Sequence, residues 1–257
     1  MLSLSASKLK TFKACRRKYQ LTYLELLEPV KKEQALEMGS NYHKNIEKIL
    51  NNEEIEKEIN FVDDAKIYAM SMAFKKYILP KLPKVKQTEV KFEFEIEEGK
   101  NINGIIDALT EDGVVIEHKS SGVAVDEKYI DRLNWDDQVP IYMLATKTNR
   151  CYYDVCMKPT IRQKKDESLE EYTQRCIEWY DENTDTKVQV FNVVRTPEEL
   201  QEKYNELIAM CNEIENTKNF YRNQSHCSIM SCPYSSICLN YDSNIEPIGF
   251  KKREVDL

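Results

Sequence analysis

Three side chains with the chemistry of a catalytic site lie within a short stretch of the chain. Residues 104–119 read Gly-Ile-Ile-Asp-Ala-Leu-Thr-Glu-Asp-Gly-Val-Val-Ile-Glu-His-Lys, which places Asp107, Glu117 and Lys119 on two short apolar segments. Two carboxylates can hold a hard divalent cation, and an ammonium group beside them can orient a water or offset charge on a phosphate. Metal-dependent cleavage of a phosphodiester requires this set of groups.

The local pattern predicts which way these side chains project. Glu117 and Lys119 are two residues apart on a predicted strand, so both face the same side of a sheet. His118 lies between them and must point to the opposite side, which leaves its backbone carbonyl free to face a metal ion. A Glu-Asp-Gly turn at 111–113 suits a hairpin that joins the strands carrying Asp107 and Glu117.

The elements that must position this set change character along the chain. The first 80 residues predict three helices, over about 5–25, 35–50 and 63–79. Period-two alternation predicts a strand near 90–96, and further strands are expected near 101–109, 113–118, 151–157 and 187–194. Later helices are expected over about 137–147, with a start at Asp136 or Asp137, and after caps at Ser168 and Thr196. This order predicts an α/β fold in which helices cover a mixed sheet.

Two helical pairs lie on either side of the carboxylate stretch. Gly39 and His43 are four residues apart and share a helix face, where the glycine leaves room for a backbone or a phosphate and the histidine can supply a nitrogen ligand. Gln138 and Tyr142 have the same spacing and could contact a phosphate or a base. Two structural alternatives stay open, because a lone helical histidine is often structural and Tyr142 can pack in the core.

Composition sets the broad class of the chain. Its 257 residues can bury a sizeable core, and we favour one domain. No apolar stretch approaches the roughly 18 residues of a membrane span, and the first residues lack a signal-peptide core. We therefore expect a cytoplasmic protein with no membrane partner. Eight cysteines exceed what packing in a reducing compartment needs, so some of them are expected to bind metal.

The charge distribution is more informative than the net charge of −7, which argues weakly against a protein that simply coats nucleic acid. Residues 1–24 contain lysines and arginines, including Arg16 and Arg17, and no acidic residue. These two arginines are candidates for contact with a DNA backbone. A solvated charged face is the alternative interpretation.

Taken in chain order, these motifs resemble the signature of the RecB-like branch of the PD-(D/E)XK nucleases, through Gly39-x3-His43, Asp107, Glu117-x-Lys119 and Gln138-x3-Tyr142. The opening from Ser3 to Tyr19 also resembles the N-terminal helix of that family. The resemblance spans nearly the whole chain. It implies a restriction-endonuclease-like core in a single domain over 1–257, with a helical part at 1–80, a catalytic sheet core at 88–195 and a C-terminal helix and cysteine segment at 196–240.

The resemblance also implies residue roles. The metal ligands would be His43, Asp107, Glu117 and the carbonyl of His118, the catalytic lysine Lys119, and the DNA-engaging pair Gln138 and Tyr142. Mg²⁺ or Mn²⁺ would be the metal. The family's catalytic positions are all matched here, so an active enzyme is expected.

The cysteines extend the resemblance. Cys15 lies early in the chain, and Cys227, Cys232 and Cys238 lie near its end. Iron–sulfur relatives, similar to the AddB nuclease domain and the CRISPR adaptation nucleases, bind a 4Fe-4S cluster with one early and three late cysteines. Their late spacing is C-x2-C-x5-C, and the longer first gap here sets Cys227 apart. A structural Zn²⁺ on the same four thiolates stays an open alternative.

The four other cysteines have no such grouping and predict small buried side chains: Cys151, Cys156, Cys176 and Cys211.

These inferences favour a metal-dependent DNA exonuclease that acts on single-stranded ends and contains a structural iron–sulfur cluster. Two rivals are a flap or structure-specific endonuclease with the same core, and a metal-stabilised DNA-binding subunit that recruits a recombination protein. No phosphate-binding Gly-x4-Gly-Lys-Ser/Thr loop occurs, so unwinding would come from a helicase partner. A chain of this size with this tail also resembles nucleases of phages and mobile elements.

Overall fold

The computed structural model describes residues 1–30, 34–229, 232–245 and 247–253. Its helices, in chain order, are α1 (Ala6–Ala14), α2 (Arg16–Tyr19), α3 (Gln34–Leu50), α4 (Val62–Ala73), α5 (Glu127–Leu133), α6 (Gln138–Thr146), α7 (Leu169–Glu178), α8 (Pro197–Asn216) and α9 (Gln224–Ile229). Its strands are β1 (Leu2–Ser5), β2 (Leu27–Pro29), β3 (Val85–Glu97), β4 (Lys100–Thr110), β5 (Val115–Ser121), β6 (Arg150–Met157), β7 (Val188–Val194) and β8 (Phe250–Lys252).

The larger sheet is mixed, as the sequence predicts. Its strand order is β1-β4-β5-β6-β7, with β3 also paired to β4. The pairs β4–β5 and β6–β7 are antiparallel, whereas β1–β4 and β5–β6 are parallel. Strands β2 and β8 form a separate antiparallel pair. The predicted α/β class, with helices flanking a central mixed sheet, is confirmed.

The chain divides into two compact units, and each consists of several segments. The first unit comprises Met1–Glu33, Glu93–Gly104 and Lys203–Leu257, and the second comprises Gln34–Phe92 and Ile105–Glu202. The single domain expected over 1–257, with its parts at 1–80, 88–195 and 196–240, stays a prediction. Residues 230 and 231 of its last part lie outside the described residues.

The core of the second unit explains how α3 is held. Met38, Tyr42, Ile46 and Ile49 recur every three or four residues and are all buried, so they form one apolar face. Helix α4 presents small residues to the same core, including Ala65, Ala69 and Ala73, which allow close helix packing. This packing fixes the position of His43, the residue that follows Tyr42.

The first unit has a smaller core. It is built from Leu21, Leu27, Tyr234 and Phe250, all of them buried. The Tyr234 hydroxyl donates a hydrogen bond to the Leu27 carbonyl over 2.7 Å. This buried contact ties the end of the chain to its beginning, 207 residues earlier.

The continuous helix expected over 5–25 was wrong. Helix α1 ends before Cys15, whose φ of −164° and ψ of 115° are extended, and α2 begins after it. The Asn223 side-chain amide donates to the Ala14 carbonyl over 2.8 Å, and the Asn223 backbone N–H donates to the Cys15 sulfur over 3.4 Å. The break is therefore stabilised by a residue more than 200 positions away.

Helix α6 begins at Gln138, close to the predicted start. The Asp136 carboxylate caps it by accepting hydrogen bonds from the backbone N–H groups of Gln138, over 2.8 Å, and Val139, over 3.0 Å. Pro140 lies in the first turn, where a missing N–H leaves no helical bond unmade. The short elements β1, β2, α5, α9 and β8 were not predicted from the sequence.

Candidate active site

The site lies where β4 and β5 stop pairing in the second unit. Ala108 pairs with Ile116, and Leu109 pairs with Val115. One position beyond these pairs, the Asp107 carboxylate accepts a hydrogen bond of 2.9 Å from the backbone N–H of His118. The side chain of Asp107 is thus anchored directly to the strand that carries Glu117.

Glu117 and Lys119 project together, as their spacing predicts. Glu117 is fully buried, and one of its oxygens, Oε1, accepts a hydrogen bond from the Lys119 ammonium. Its other oxygen, Oε2, has no hydrogen-bond partner among the described residues. A buried carboxylate oxygen without a partner is energetically costly, and a bound cation would satisfy it.

The electrostatics of this pair follow from burial. Burial, together with the negative charge of Asp107, raises the pKa of Glu117 to about 8, and the Lys119 charge opposes that rise. Burial lowers the pKa of Lys119, but Glu117 more than offsets this effect, so the pKa is raised overall and the ammonium stays charged. The site therefore keeps the positive charge of Lys119 beside the Glu117 carboxyl group, and a bound cation would favour the deprotonated form of that group.

A chain of hydrogen bonds extends from Lys119 to the backbone of β4. The Lys119 ammonium donates to the Gln138 amide oxygen over 3.0 Å, and the Gln138 amide donates to the Tyr142 hydroxyl over 2.6 Å. That hydroxyl donates in turn to the Ile105 carbonyl over 2.7 Å. Tyr142 is buried and its ring packs edge-on against Phe92. Core packing of Tyr142 is therefore observed, and DNA contact by Gln138 and Tyr142 stays a prediction.

His43 lies beside Asp107. Its Nδ1 atom is 3.6 Å from Asp107 Oδ1, and its side chain is partly exposed. Burial would raise the pKa of Asp107, but the imidazoles of His43 and His118 more than offset this and lower it. Gly39 does not receive a close backbone neighbour, because an added Cβ would meet only the Ser120 hydroxyl at 3.7 Å.

The His118 side chain points away from Glu117 and Lys119, as predicted. Its ring packs edge-on against Phe74 at 5.4 Å between centroids, and its Nδ1 atom pairs with the Asp154 carboxylate. Asp154 is fully buried on β6, opposite His118 in the parallel register. Sequence reasoning missed this residue. Its only sequence signal is an acidic residue within a strand whose neighbours are otherwise mostly apolar.

The donor set fits a hard divalent cation in chemistry. Among the described residues, no three His, Cys, Asp or Glu side chains already form a compact metal-binding group. The carboxylates of Asp107 and Glu117 nevertheless supply oxygen donors in one place, and the unpartnered Glu117 Oε2 leaves a donor available. Carboxylate oxygens suit Mg²⁺ and Mn²⁺, and an added imidazole from His43 suits Mn²⁺.

Arg16 and Arg17 lie in the first unit and are engaged with their own chain. Arg16 pairs with Glu213, donates to the Tyr221 hydroxyl over 2.6 Å, and lies over the Tyr221 ring. Arg17 donates to the Gln20 side chain over 2.6 Å. Their predicted contact with DNA stays a prediction.

Two of the candidate cluster cysteines, Cys15 and Cys232, act electrostatically on a third, Cys238, within the first unit. Among the described residues, these cysteines do not already form a metal-binding group. Burial raises the pKa of the Cys238 thiol, Arg17 opposes that rise, and the neighbouring thiols of Cys15 and Cys232 add to it. Cys227 is exposed on α9.

The four remaining cysteines are all fully buried, as predicted: Cys151, Cys156, Cys176 and Cys211.

The fold and the site define a class of protein, the metal-dependent nucleases with a restriction-endonuclease-like core. The family model of the PD-(D/E)XK nuclease superfamily matches residues 3–239. The chain belongs to this superfamily, whose members act on DNA and generally use Mg²⁺ or Mn²⁺.

Two similar solved structures agree on the fold. A protein from Eubacterium rectale named as a candidate exonuclease is 12% identical, covers 93% of this chain and 92% of its own, and superposes with a TM-score of 0.54. SSO0001 is 16% identical over 93% of this chain and 87% of its own, with a TM-score of 0.50. An alkaline exonuclease from Laribacter hongkongensis is 14% identical over 83% and 88%, with a TM-score of 0.39. No curated protein matches the chain in sequence.

In the described part of the chain, no helix is long and apolar enough to cross a membrane.

Proposed function

We propose that this chain is a metal-dependent DNA exonuclease that hydrolyses phosphodiester bonds from single-stranded ends. The observation that carries the proposal is the fully buried Glu117, with one oxygen on the Lys119 ammonium and the other without a partner, beside the anchored carboxylate of Asp107. A carboxylate pair with one unmet oxygen and an adjacent fixed positive charge is suited to binding a cation and a phosphate together.

The residues divide the chemistry between them. Asp107 and Glu117 would hold Mg²⁺ or Mn²⁺, with the His43 imidazole and the His118 carbonyl as further ligands. The bound ion supplies Lewis-acid chemistry at the scissile phosphate. Lys119, held by Glu117 and Gln138, keeps its ammonium where it can orient the attacking water and offset charge on the phosphate. Cleavage would leave a 5′-phosphate and a 3′-hydroxyl.

The preference for strand ends is supported by one structural neighbour. The Eubacterium rectale protein, which shares the fold over nearly the whole of both chains, is named as a candidate exonuclease. An enzyme of this kind would depend on a helicase or a recombination protein to expose single strands.

We also propose a structural 4Fe-4S cluster on Cys15, Cys227, Cys232 and Cys238. Its support is the electrostatic effect of the Cys15 and Cys232 thiols on the Cys238 thiol in the first unit. Four thiolates are what such a cluster needs, and a structural Zn²⁺ would use the same ligands. The cluster would crosslink the first helices to the end of the chain.

The test of the nuclease proposal compares linear and circular single-stranded DNA. Purified protein is incubated with end-labelled linear oligonucleotides and with closed circles, in Mg²⁺ or in Mn²⁺. Release of mononucleotides or short products from linear DNA, with intact circles, is expected. Cutting of the circles would instead identify an endonuclease.

Matched variants tie that activity to the site. Asp107→Ala and Lys119→Ala should each lower the cleavage rate by at least about 100-fold. Asp131→Ala and Lys128→Ala, at positions outside the site on α5, should cleave like the wild type. Wild-type cleavage by Asp107→Ala would contradict the assignment.

His43→Ala should weaken metal affinity and activity together. Unchanged activity of this variant in Mn²⁺ would show that His43 is structural.

A further inference from the structure

An exposed tryptophan stands out on the second unit. The Trp135 side chain is 86% exposed, in the turn that connects α5 to α6. Tryptophan is usually well buried, because its large apolar surface is costly to leave in water. The exposed indole offers a large, flat aromatic surface on which a ligand ring can stack.

The turn that carries Trp135 is held by several hydrogen bonds. The backbone N–H of Trp135 donates to the Arg132 carbonyl over 3.1 Å, and that of Asp136 donates to the Leu133 carbonyl over 3.3 Å. The Leu133 carbonyl also accepts a hydrogen bond of 2.9 Å from the Arg195 guanidinium. The indole is therefore presented from an ordered backbone, which limits the entropy lost when a ligand stacks on it.

The same turn adjoins the catalytic residues. Asp136, the next residue after Trp135, caps α6 and acts electrostatically on both Glu117 and Lys119. Gln138, three residues after Trp135, accepts a hydrogen bond from the Lys119 ammonium. The turn that presents the indole is therefore connected to Lys119 through Gln138, three residues further along the chain.

We propose that Trp135 is the platform on which one nucleobase of a single-stranded substrate stacks, next to the scissile phosphate. The proposal rests on the nuclease function proposed above and adds a residue that selects the substrate. Every base has a π-face, so stacking on an indole tolerates any sequence. Inside a duplex, both faces of a base are covered by neighbouring base pairs. Trp135 therefore favours unpaired DNA over duplex DNA.

The first experiment measures DNA binding in the absence of cleavage, because EDTA removes the metal ion. The chain contains two tryptophans, and the other, Trp179, is partly buried with the Lys187 ammonium 4.1 Å from its ring centre. Oligothymidylate titrated in EDTA should quench tryptophan fluorescence in the wild type and in Trp179→Phe. The quenching should be lost in Trp135→Phe, whose DNA affinity remains close to that of the wild type because phenylalanine still stacks. Full quenching in Trp135→Phe would overturn the proposal.

The second experiment uses kinetics. Trp135→Ala should raise KM for single-stranded DNA by about 10- to 100-fold, with kcat nearly unchanged, and Trp135→Phe should restore most of the loss. The matched control is Phe61→Ala, which removes an aromatic ring that is 73% exposed elsewhere on the second unit. That control should behave like the wild type.

An abasic substrate then identifies the stacked base. One abasic position near the scissile bond should raise the wild-type KM as much as Trp135→Ala does, and should add nothing further in that variant. Independent, additive losses would overturn the stacking assignment. An unchanged KM in Trp135→Ala, or a change only in oligomeric state, would overturn it while leaving the nuclease function standing. A wild type that neither binds nor cuts single-stranded DNA would overturn both.

Discussion

Glu117 is placed where its charge destabilises the folded chain. The residue is fully buried, and its pKa of about 8 means that it is largely protonated at neutral pH without a metal ion. In an unfolded chain a glutamate has a pKa of about 4.3. An acid whose pKa is higher in the folded state loses stabilising free energy as the pH rises between these two values.

This shift predicts that Glu117→Gln stabilises the metal-free protein while abolishing cleavage. The wild type and the variant should be similarly stable near pH 5. The difference should grow toward pH 8, to about 4 kcal/mol, because the glutamine cannot ionise. Urea unfolding in EDTA at pH 5, 6.5 and 8 measures it.

The control for this prediction is Glu98→Gln, at an exposed turn position. Its effect on stability should not vary with pH in the same way. A Glu117→Gln difference that stays flat from pH 5 to pH 8 would show that the buried carboxyl is not the source of the instability.

The Asp154–His118 pair is a buried polar contact between β5 and β6, and its histidine lies between Glu117 and Lys119 in the chain. Both side chains are buried, and the remaining atoms, Asp154 Oδ1 and His118 Nε2, have no hydrogen-bond partner among the described residues. Asp154→Ala should destabilise the protein by about 3–5 kcal/mol, because it leaves the imidazole buried and unpaired. Asp154→Asn, which keeps a hydrogen bond to the ring, should lose less. Thermal or urea unfolding ranks the two variants.

A double variant sharpens this test. Replacing both Asp154 and His118 by leucine removes the unpaired polar group as well as the pair. The double variant should be more stable than Asp154→Ala. If it is less stable, packing rather than the polar pair dominates at this position.

At the scale of elements, helix α3 brings His43 to the site through its buried face. Gly39 lies one turn earlier, half-buried, and an added Cβ would make only an ordinary contact with the Ser120 hydroxyl at 3.7 Å. Gly39→Ala should therefore stabilise the protein by about 0.5–1 kcal/mol, because alanine is the better helix former. Thermal melting measures the gain, and cleavage should be retained.

The matched control for Gly39 is Gly113→Ala. Gly113 has a φ of +79° in the β4–β5 turn, so alanine there is strained and should destabilise the protein. A Gly39→Ala variant that is stable but loses DNA affinity would support the prediction that a phosphate approaches this glycine.

Helix α6 acts on the site through polar side chains. Its Gln138 and Tyr142 connect the Lys119 ammonium to the Ile105 carbonyl on β4. The lysine is thereby oriented by the strand that also carries Asp107. Strands β4 and β5 of the hairpin are therefore connected by hydrogen bonds through α6, which follows both of them in the chain.

At the scale of the whole molecule, cysteine variants in the first unit test the iron–sulfur proposal. Cys15→Ser and Cys238→Ser should each remove most of the iron and sulfide from anaerobically purified protein, and should lower its stability. Cys151→Ser is the matched control, because Cys151 is fully buried on β6 in the second unit. Iron, sulfide and zinc content per chain measures the outcome, with about four iron atoms expected in the wild type. Stoichiometric zinc without sulfide would mean a zinc site.

The sequence alone determined the local features of this protein. The alternation of Glu117 and Lys119, the hairpin turn before β5, the start of α6 near Pro140 and the burial of the ungrouped cysteines are all confirmed. Each depends on side-chain periodicity or turn chemistry within a few residues, which the sequence states directly.

Only the tertiary structure decided the features that join distant residues. The break at Cys15 depends on Asn223, and the pairing of His118 with Asp154 depends on the parallel register of β5 and β6. The lack of a hydrogen-bond partner for Glu117 Oε2 among the described residues likewise depends on which groups surround it. These features follow from packing between segments far apart in the chain. Local sequence patterns do not predict which distant segments will come into contact.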